Sequence, residues 1–415
     1  MSLIRAFRGL RPAAGQAGAV AAPPYDVLSS EEARAIVHGA AGKPWSFLHI
    51  SKAEIDLPRD IDPHAPAVYA KAAENLGKML AAGVLVRDDT PCYYAYRLTM
   101  PGPHGNHVQT GLVAAASVAD YDSSRIRKHE FTRPDKEDDR VRQIEALNAQ
   151  TGPVLLAYPV CEAADAQIDA IAQGAPDADV TAGDGIRHQL WALKDAAQID
   201  AITQTFEGIS ALYIADGHHR SAAASRVAAA RHQPGCELSA DAFLAVIFPH
   251  HQMKIMDYNR VVKDLNGLQE SALVTRLGAA FTIEDSARQV HPARPGEFGM
   301  YLAGRWRKLR IKPELIPGDP VASLDVSLLS DHLLGPLLGI TDLRRDKRID
   351  FVGGIRGLAE LERRVDSGEM AVAFALHPTR MDQLMAVADN NNVMPPKSTW
   401  FEPKLADGLV SHVLD

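Results

Sequence analysis

The chain has 415 residues, of which 46% are hydrophobic, 23% are charged and 6% are aromatic. This length predicts two or three domains, and the apolar content excludes a chain that is disordered throughout. The formal net charge of −8 argues against a protein whose whole surface attracts nucleic acid.

The N-terminal part of the chain predicts both helices and strands. Ser29 or Ser30 can cap a helix that carries two glutamates in its first turn. Apolar residues recur at helical spacing over 64–82, which predicts a longer helix. Two strands are expected over 92–99 and 107–118, joined by a turn rich in Pro and Gly.

The middle of the chain alternates between the two kinds of element. Helices are predicted over 138–149 and 162–173, and a further helix follows the strand at 210–216. Apolar runs over 153–160 and 242–250 predict buried strands. This alternation indicates an α/β or α+β fold in which a mixed sheet is flanked by helices.

Beyond about residue 260 the pattern changes, which suggests another domain. We predict three regions, namely an N-terminal α+β region (1–120), a central region (121–260) and a C-terminal α/β region (261–415). The three cysteines are far apart and form no C-x-x-C pair, which is typical of a reducing compartment. No run of 18 apolar residues and no secretory signal is found, so we expect a cytoplasmic protein that does not contact a membrane.

The segment Tyr213–Arg220 gives the strongest functional signal. An apolar strand ends at Asp216-Gly217, and an alanine-rich helix follows directly. The start of a helix presents unpaired N–H groups and positive potential, which suits a phosphate or a carboxylate. Arg220 can hold an anion bidentately, and His218 or His219 can donate hydrogen bonds or exchange protons. Alternatively, Asp216 caps the helix and the histidines only pack.

A second candidate is the charged segment 125–140. Its basic residues can contact substrate phosphates, and its carboxylates can hold Mg²⁺. A solvated charged loop is the alternative. The predicted ligand contacts are Arg127, Lys128 and His129, and the predicted metal ligands are Asp135, Glu137 and Asp138.

Two proline-containing segments complete the candidates. In 394–405 two prolines precede Lys397, Ser398 and Thr399, which offer hydrogen-bond donors to phosphate, although the glycines of a Walker motif are absent. In 22–27 a stiff turn exposes Tyr25 and Asp26, and this is the weaker candidate, because an ordinary proline turn is the favoured interpretation of the segment by itself.

Four ordered motifs carry a resemblance to a known family. APPYDVLS, RKHEFTRPDKEDDR, YIADGHHRSAAA and MPPKSTWFEPKLADGLV resemble the bacterial family catalogued as domain of unknown function 1015. Its members are often labelled SpoOJ/ParA/ParB/RepB family proteins. The resemblance spans Ala22 to Val410, and the family name implies no activity.

The D-G-H-H-R turn also resembles the nucleotide-binding turn of the ParB/sulfiredoxin-like fold, which includes free-serine kinases. This resemblance implies a ParB-like nucleotide-binding core with additional domains, and it places phosphates on the backbone of residues 216–220. The serine kinases use a carboxylate base from another segment. Glu130 is our candidate for that base because of its chemistry, and no alignment supports it.

We therefore hypothesise a phosphotransferase that uses ATP or ADP with Mg²⁺ and acts on a small hydroxylated metabolite, with free serine as one candidate. Glu130 or His218 would accept the hydroxyl proton, and Lys397 would neutralise charge on the transferred group, so we expect these residues to meet in one cleft. The first alternative is a non-catalytic protein that senses a nucleotide or a phosphate ligand. A ParB-like DNA-associated protein is disfavoured by the acidic charge, and a homo-oligomer remains open.

Overall fold

The computed structural model describes residues 2–40, 42–103 and 105–415. The chain forms two units. The first comprises the chain up to Met253 together with Pro403–Asp415, and the second is Lys254–Glu402. Within the described ranges, no helix is both long and apolar enough to span a bilayer.

The strands are numbered in chain order. They are β1 (Ile4–Arg5), β2 (Gly9–Pro12), β3 (Leu85–Arg87), β4 (Tyr93–Met100), β5 (His107–Ser117), β6 (Ile126–Arg127), β7 (Ala149–Gln150), β8 (Val154–Tyr158), β9 (Ala178–Thr181), β10 (Arg187–Leu193), β11 (Leu212–Asp216), β12 (Ala242–Pro249), β13 (Lys254–Met256), β14 (Tyr258–Val262), β15 (Phe281–Ser286), β16 (Glu297–Leu302), β17 (Arg305–Ile311), β18 (Ile349–Gly353), β19 (Val372–Leu376), β20 (Trp400–Glu402) and β21 (Ser411–Val413).

The α-helices are numbered in the same way, and short 3₁₀ turns connect several of them. They are α1 (Ala17–Val20), α2 (Ser30–His38), α3 (Leu48–Ser51), α4 (Pro66–Ala81), α5 (Val118–Asp122), α6 (Pro134–Leu147), α7 (Glu162–Ile171), α8 (Ala196–Glu207), α9 (His218–Arg231), α10 (Glu270–Leu277), α11 (Asp325–Leu329), α12 (Leu358–Asp366) and α13 (Met381–Asp389).

The large sheet of the first unit has the order β6-β11-β8-β12-β5-β4-β10-β9, and β1 pairs with the end of β5. The pairs β6/β11 and β8/β12 are parallel and the other pairs are antiparallel, so the sheet is mixed. β8 and β12 are buried along their whole length, which explains their continuous apolar sequences. Ile168 of α7 and Phe206 of α8 belong to the core of this sheet.

A four-stranded sheet of order β3-β2-β21-β7 completes the first unit. Its core includes apolar residues from the helices α2 and α4. The C-terminal strand β21 lies between β2 and β7, so the end of the chain returns to the unit that the beginning forms. This division differs from the predicted boundary at residue 120, because β5 pairs with β12 along Ala242–Ile247.

The second unit contains an antiparallel sheet of order β15-β17-β16-β19-β14-β18 and a separate pair, β13 with β20. Leu361 of α12 packs in the core of that larger sheet. The mixed α/β class that the sequence predicts is therefore confirmed, with several sheets flanked by helices.

The start of α6 differs from the one that the sequence predicts. This helix begins at Pro134, four residues before the predicted start at 138. Proline fits the first position of a helix, because its fixed φ is helical and its missing N–H would have no partner there. The predicted cap of α2 is confirmed, since the Ser29 side chain accepts from the Glu32 amide in a capping box.

Candidate functional site

The turn between β11 and α9 forms the centre of the site. β11 ends at Asp216, Gly217 has a φ of +98°, and α9 begins at His218. The first helical hydrogen bonds run from the amides of Arg220 (2.9 Å) and Ser221 (3.0 Å) to the Gly217 carbonyl. The amides of His218 and His219 precede these bonds, so the helix itself offers them no acceptor. The turn therefore has the geometry of a helix start that can receive an anion.

The Asp216 side chain does not cap α9. Its Oδ2 accepts a hydrogen bond from Lys404 Nζ at 3.1 Å, and its Oδ1 lies 3.7 Å from Arg220 Nη2. Burial by itself would raise the pKa of Asp216, but Lys404 and Arg220 outweigh it and hold the pKa below the usual aspartate value. The carboxylate therefore stays ionised and fixes two cations at the turn.

Arg220 points into the protein. Its side chain is only 11% exposed, and its Nη1 donates to the Pro153 carbonyl. Beside it lies a cavity of about 30 Å³, whose lining includes Tyr25, Arg140 and Asp407. That volume holds about two water molecules. Arg220 therefore joins the turn to the start of β8, whereas the sequence pattern predicts that it holds an anion bidentately.

The two consecutive histidines hold the segment that precedes α6. His218 Nε2 accepts from the His129 amide at 3.3 Å, and His219 Nε2 accepts from the Arg133 amide at 3.1 Å. An amide can only donate, so both Nε2 atoms are unprotonated. The segment His129–Arg133 is thereby pinned at both ends to the first turn of α9.

This hydrogen bond fixes the tautomer of His218. Burial and the neighbouring His129 lower the pKa of His218 well below its usual value, so the ring is neutral. Because Nε2 accepts from an amide, the proton of the neutral ring lies on Nδ1. Nδ1 is 3.9 Å from Oε2 of Glu130, which is exposed at the surface. The structure thus brings together the two residues that were predicted as catalytic.

The basic residues before Glu130 turn toward other groups. The buried His129 ring packs edge-to-face against the His218 ring, with the two ring centres 4.5 Å apart. Burial lowers the pKa of His129 to about 4. The Lys128 ammonium lies 3.7 Å from the centre of the Tyr121 ring, and the Arg127 guanidinium lies 5.7 Å from that of Tyr213. The predicted ligand contacts therefore do not form one basic patch.

The carboxylates predicted to hold Mg²⁺ are engaged by other side chains. Asp135 pairs with Arg133 at 2.6 Å, Asp138 pairs with Arg226 at 2.8 Å, and Glu137 accepts from the Thr132 hydroxyl. Across the residues that the structure describes, no three His, Cys, Asp or Glu side chains converge as a metal site. The predicted metal residues Asp135, Glu137 and Asp138 therefore have no assembled ligand set, because each contacts an oppositely charged or donating neighbour.

Tyr25 and Asp26 lie near the same cavity as Arg220. The Tyr25 ring lines the cavity and stacks under the Arg140 guanidinium at 4.0 Å. Burial raises the pKa of Tyr25, and Asp26 is exposed. The proline turn therefore contributes an aromatic wall to the interior beside the β11–α9 turn.

Lys404 and Asp407 are residues of the site that the sequence motifs did not predict. Lys404 holds Asp216, and Asp407 is 2% exposed and lines the cavity beside Arg220. A signal was present, because Ala-Asp-Gly at 406–408 repeats Ala-Asp-Gly at 215–217. In both copies the glycine has positive φ, with +87° at Gly408. By contrast, the predicted Lys397, Ser398 and Thr399 belong to the second unit, and their joining this site stays a prediction.

The sequence model of the family described as "Protein of unknown function (DUF1015)" matches residues 4–327. The chain belongs to this family. No curated protein matches the chain. The family match covers the β11–α9 turn and the segment that precedes α6 in this DUF1015 protein, while the Lys404–Asp407 segment lies beyond it.

Several solved structures are similar to the DUF1015 chain at low identity. A point mutant of free serine kinase in complex with ADP is 14% identical, with a TM-score of 0.35 and coverage of 72% of this chain and 92% of that one. A conserved hypothetical protein from Pyrococcus furiosus is 15% identical, with a TM-score of 0.34 and coverage of 72% and 95%. SbnI from Staphylococcus aureus, truncated at its C-terminus, is 11% identical, with a TM-score of 0.36 and coverage of 71% and 85%. At these TM-scores the likeness assigns no function, and none of these names includes the SpoOJ/ParA/ParB/RepB label.

Asp407→Asn is expected to change the pH dependence of stability in this DUF1015 protein. Burial raises the pKa of Asp407 to about 7, whereas an unfolded aspartate titrates near pH 3.9. Between these values the folded state keeps a proton that the unfolded state releases, so Asp407 lowers the free energy of unfolding as the pH rises. Relative to the parent, Asp407→Asn should add little to the free energy of unfolding at about pH 4. The difference should grow up to about pH 7 and stay constant above it.

Urea unfolding of Asp407→Asn and of the parent over this pH range measures the difference in the free energy of unfolding. Asp89→Asn is the control, because Asp89 is exposed. A difference between Asp407→Asn and the parent that does not vary with pH would contradict the expectation.

Proposed function

We propose that this protein is a nucleotide-dependent phosphotransferase whose acceptor is a small hydroxylated metabolite, such as free serine. The observation that carries the proposal is the β11–α9 turn, where α9 begins at His218 with its first helical hydrogen bonds at Arg220 and Ser221, and where Lys404 donates to Asp216 at the end of β11. Phosphoryl transfer depends mainly on positioning the phosphates and on stabilising their charge, and these groups supply both.

The phosphate chain of ATP or ADP would bind at this helix start. Helix N-termini bind phosphate through their first N–H groups and through the helix dipole. Lys404 adds a charge that Asp216 keeps at the turn at 3.1 Å. Arg220 supports this site from within, because its hydrogen bond to the Pro153 carbonyl and its position against Gly217 fix the backbone of the turn.

Glu130 would act as the general base. It would accept the proton of the substrate hydroxyl while that oxygen forms its bond to phosphorus, and the bond from phosphorus to the leaving nucleotide oxygen would break. His218 cannot take this proton through Nε2, because that atom accepts from the His129 amide. Its Nδ1–H instead faces Glu130, so His218 would position the carboxylate.

Mg²⁺ would arrive with the nucleotide. This ion usually keeps several waters and binds through one or two carboxylates together with substrate phosphates, so a site without a preformed ligand set is compatible with it. Asp135, Glu137 and Asp138 remain the proposed carboxylates, and each would have to exchange a present partner for the ion.

Nucleotide binding is expected to stabilise the protein and to depend on Lys404. A nucleotide at a concentration of about a hundred times its Kd should add about 2.7 kcal/mol to the free energy of unfolding, which thermal melting detects. Lys404→Ala removes the ammonium at the turn and should weaken ATP or ADP binding about tenfold or more, as measured by calorimetric titration with and without Mg²⁺.

Lys194→Ala is a matched control, since Lys194 also pairs with an aspartate, Asp88, at 3.6 Å. This variant should bind the nucleotide like the parent. If neither nucleotide shifts the melting temperature of the parent, or if Lys404→Ala keeps full affinity, the nucleotide site is not at this turn.

A non-catalytic nucleotide sensor is the second candidate. It is favoured by the ion pairs of Asp135 and Asp138 with arginines, because carboxylates held in this way are not ready to bind Mg²⁺. The two candidates differ in turnover. A sensor would bind nucleotide and show the dependence on Lys404, but it would transfer no phosphoryl group to serine or to any other hydroxylated acceptor.

A further inference from the structure

The second unit contains a lysine in a strained backbone conformation. Lys397 is exposed and has a φ of +60°, in the left-handed region where a residue with a Cβ is disfavoured. It follows Pro396, and the Ser398 hydroxyl closes the turn by donating to the Pro395 carbonyl at 2.6 Å. The other non-glycine residues with positive φ in the described chain are serine, asparagine or alanine, so Lys397 is unusual among them.

A buried arginine holds this turn. Arg260 of β14 is 0% exposed, and its Nη2 donates to the Lys397 carbonyl at 2.8 Å. Its guanidinium also donates to the Tyr258 carbonyl and lies 5.2 Å from the centre of the Phe351 ring. Burial lowers the pKa of Arg260 to about 10, so the group is still charged at neutral pH.

This arrangement is costly for the stability of the second unit. Within the described ranges, no carboxylate forms an ion pair with Arg260, and a buried charge without a counter-charge is strongly unfavourable. The left-handed conformation of Lys397 adds a second cost at the same place. Strain of this kind persists where the surrounding structure enforces it, and it is concentrated at sites that bind ligands.

We propose that the loop Pro395–Thr399 is an anion-binding loop of the second unit, with a phosphate group as its ligand and with Arg260 as its positioning residue. Lys397 presents its ammonium to the anion, and Arg260 fixes the carbonyl of the same residue and adds a second positive charge beneath the loop. The aromatic rings of Tyr258 and Trp400, 5.2 Å apart, form the apolar support of the loop. This binding requires no phosphoryl transfer, so it does not depend on the reaction proposed for the first unit.

A structural role for the Lys397 ammonium is the competing explanation. Its Nζ lies 5.7 Å from the centre of the Tyr258 ring, which is within the range of a cation–π contact. The variant Lys397→Gly separates the two explanations, because glycine adopts positive φ without strain but lacks the ammonium.

Under our proposal, Lys397→Gly should raise the melting temperature by about 2–4 °C and should abolish anion binding by the loop. Ala303→Gly is the matched control, since Ala303 has a φ of +50° in the turn between β16 and β17. It should also raise the melting temperature, but it should leave anion binding unchanged. A fall in the melting temperature of Lys397→Gly together with unchanged anion binding would mean that the lysine only stabilises the fold, and it would overturn the proposal.

Calorimetric titration of the full chain with pyrophosphate measures the binding. The parent should bind two equivalents, Lys404→Ala should keep the equivalent of the second unit and weaken the other about tenfold or more, and the double variant Lys404→Ala/Lys397→Gly should keep only the weakened one. If the double variant binds as Lys404→Ala does, the loop is not an anion site, and the nucleotide site of the first unit is unaffected. If Lys404→Ala binds as the parent does while Lys397→Gly loses one equivalent, the proposed nucleotide site fails and the loop stands.

Discussion

Glu130→Gln is expected to reduce the rate of phosphoryl transfer by about 10²–10⁴-fold, the usual contribution of a general base. The amide keeps the size of the side chain but cannot accept the hydroxyl proton. Glu130 is exposed, and it lies 3.9 Å from the protonated Nδ1 of His218, so the exchange should change the free energy of unfolding by less than about 0.5 kcal/mol. Nucleotide affinity should also be preserved, because the proposed function places the phosphates at the start of α9 and not on Glu130.

An assay of phosphoryl transfer, with serine as the first acceptor, measures the rate. Calorimetric titration with the nucleotide measures the affinity. Glu145→Gln is the matched control, since Glu145 is an exposed glutamate on α6 at some distance along the chain from the pinned segment His129–Arg133. Equal activity of Glu130→Gln and Glu145→Gln would rule out Glu130 as the base, although the nucleotide site would remain.

Gly217→Ala is expected to destabilise the first unit by about 2–4 kcal/mol and to abolish nucleotide binding. The left-handed backbone at φ +98° disfavours any residue with a Cβ by about 1–2 kcal/mol. The added Cβ would also lie 3.0 Å from Arg220 Nε and 3.1 Å from its Cζ. Because Arg220 is held between the Pro153 carbonyl and Asp216, its guanidinium cannot move away without releasing the turn.

Gly235→Ala separates the two causes of this effect. Gly235 has a φ of +79°, but a Cβ built there meets no atom within 4 Å. Gly235→Ala should therefore lower the free energy of unfolding only by the cost of the left-handed backbone, about 1–2 kcal/mol, and it should keep nucleotide binding. Urea unfolding and calorimetric titration of both variants give the comparison. If the two variants lose the same stability, the close approach of Arg220 does not constrain the turn.

The strand, turn and helix around Gly217 could be predicted because their signals are local. The apolar run of β11, the Asp-Gly pair and the alanine-rich sequence of α9 each act within a few residues. The same holds for the capping box of α2, where Ser29 and Glu32 are three residues apart. Backbone conformation at such places depends on neighbouring residues, so the sequence alone determines it.

The partners of the charged residues could not be predicted in this way. Asp216 pairs with Lys404, which is 188 positions away in the chain, and Arg220 turns inward to the Pro153 carbonyl. Such pairs depend on which segments the sheets bring together. Nothing within a few residues of either partner distinguishes an arginine that binds a ligand from one that supports the backbone.

The sequence by itself determined that the chain is a mixed α/β protein with an anion-type turn at 216–220 and with a glutamate and two histidines as candidate site residues. Only the tertiary structure decided that His218 accepts from the His129 amide and so directs its protonated Nδ1 toward Glu130. It also decided that the carboxylates at 135–138 contact arginines and a threonine. Element type follows from local periodicity and turn chemistry, whereas the role of a polar side chain follows from burial and from long-range contacts, which form only when distant segments pack together.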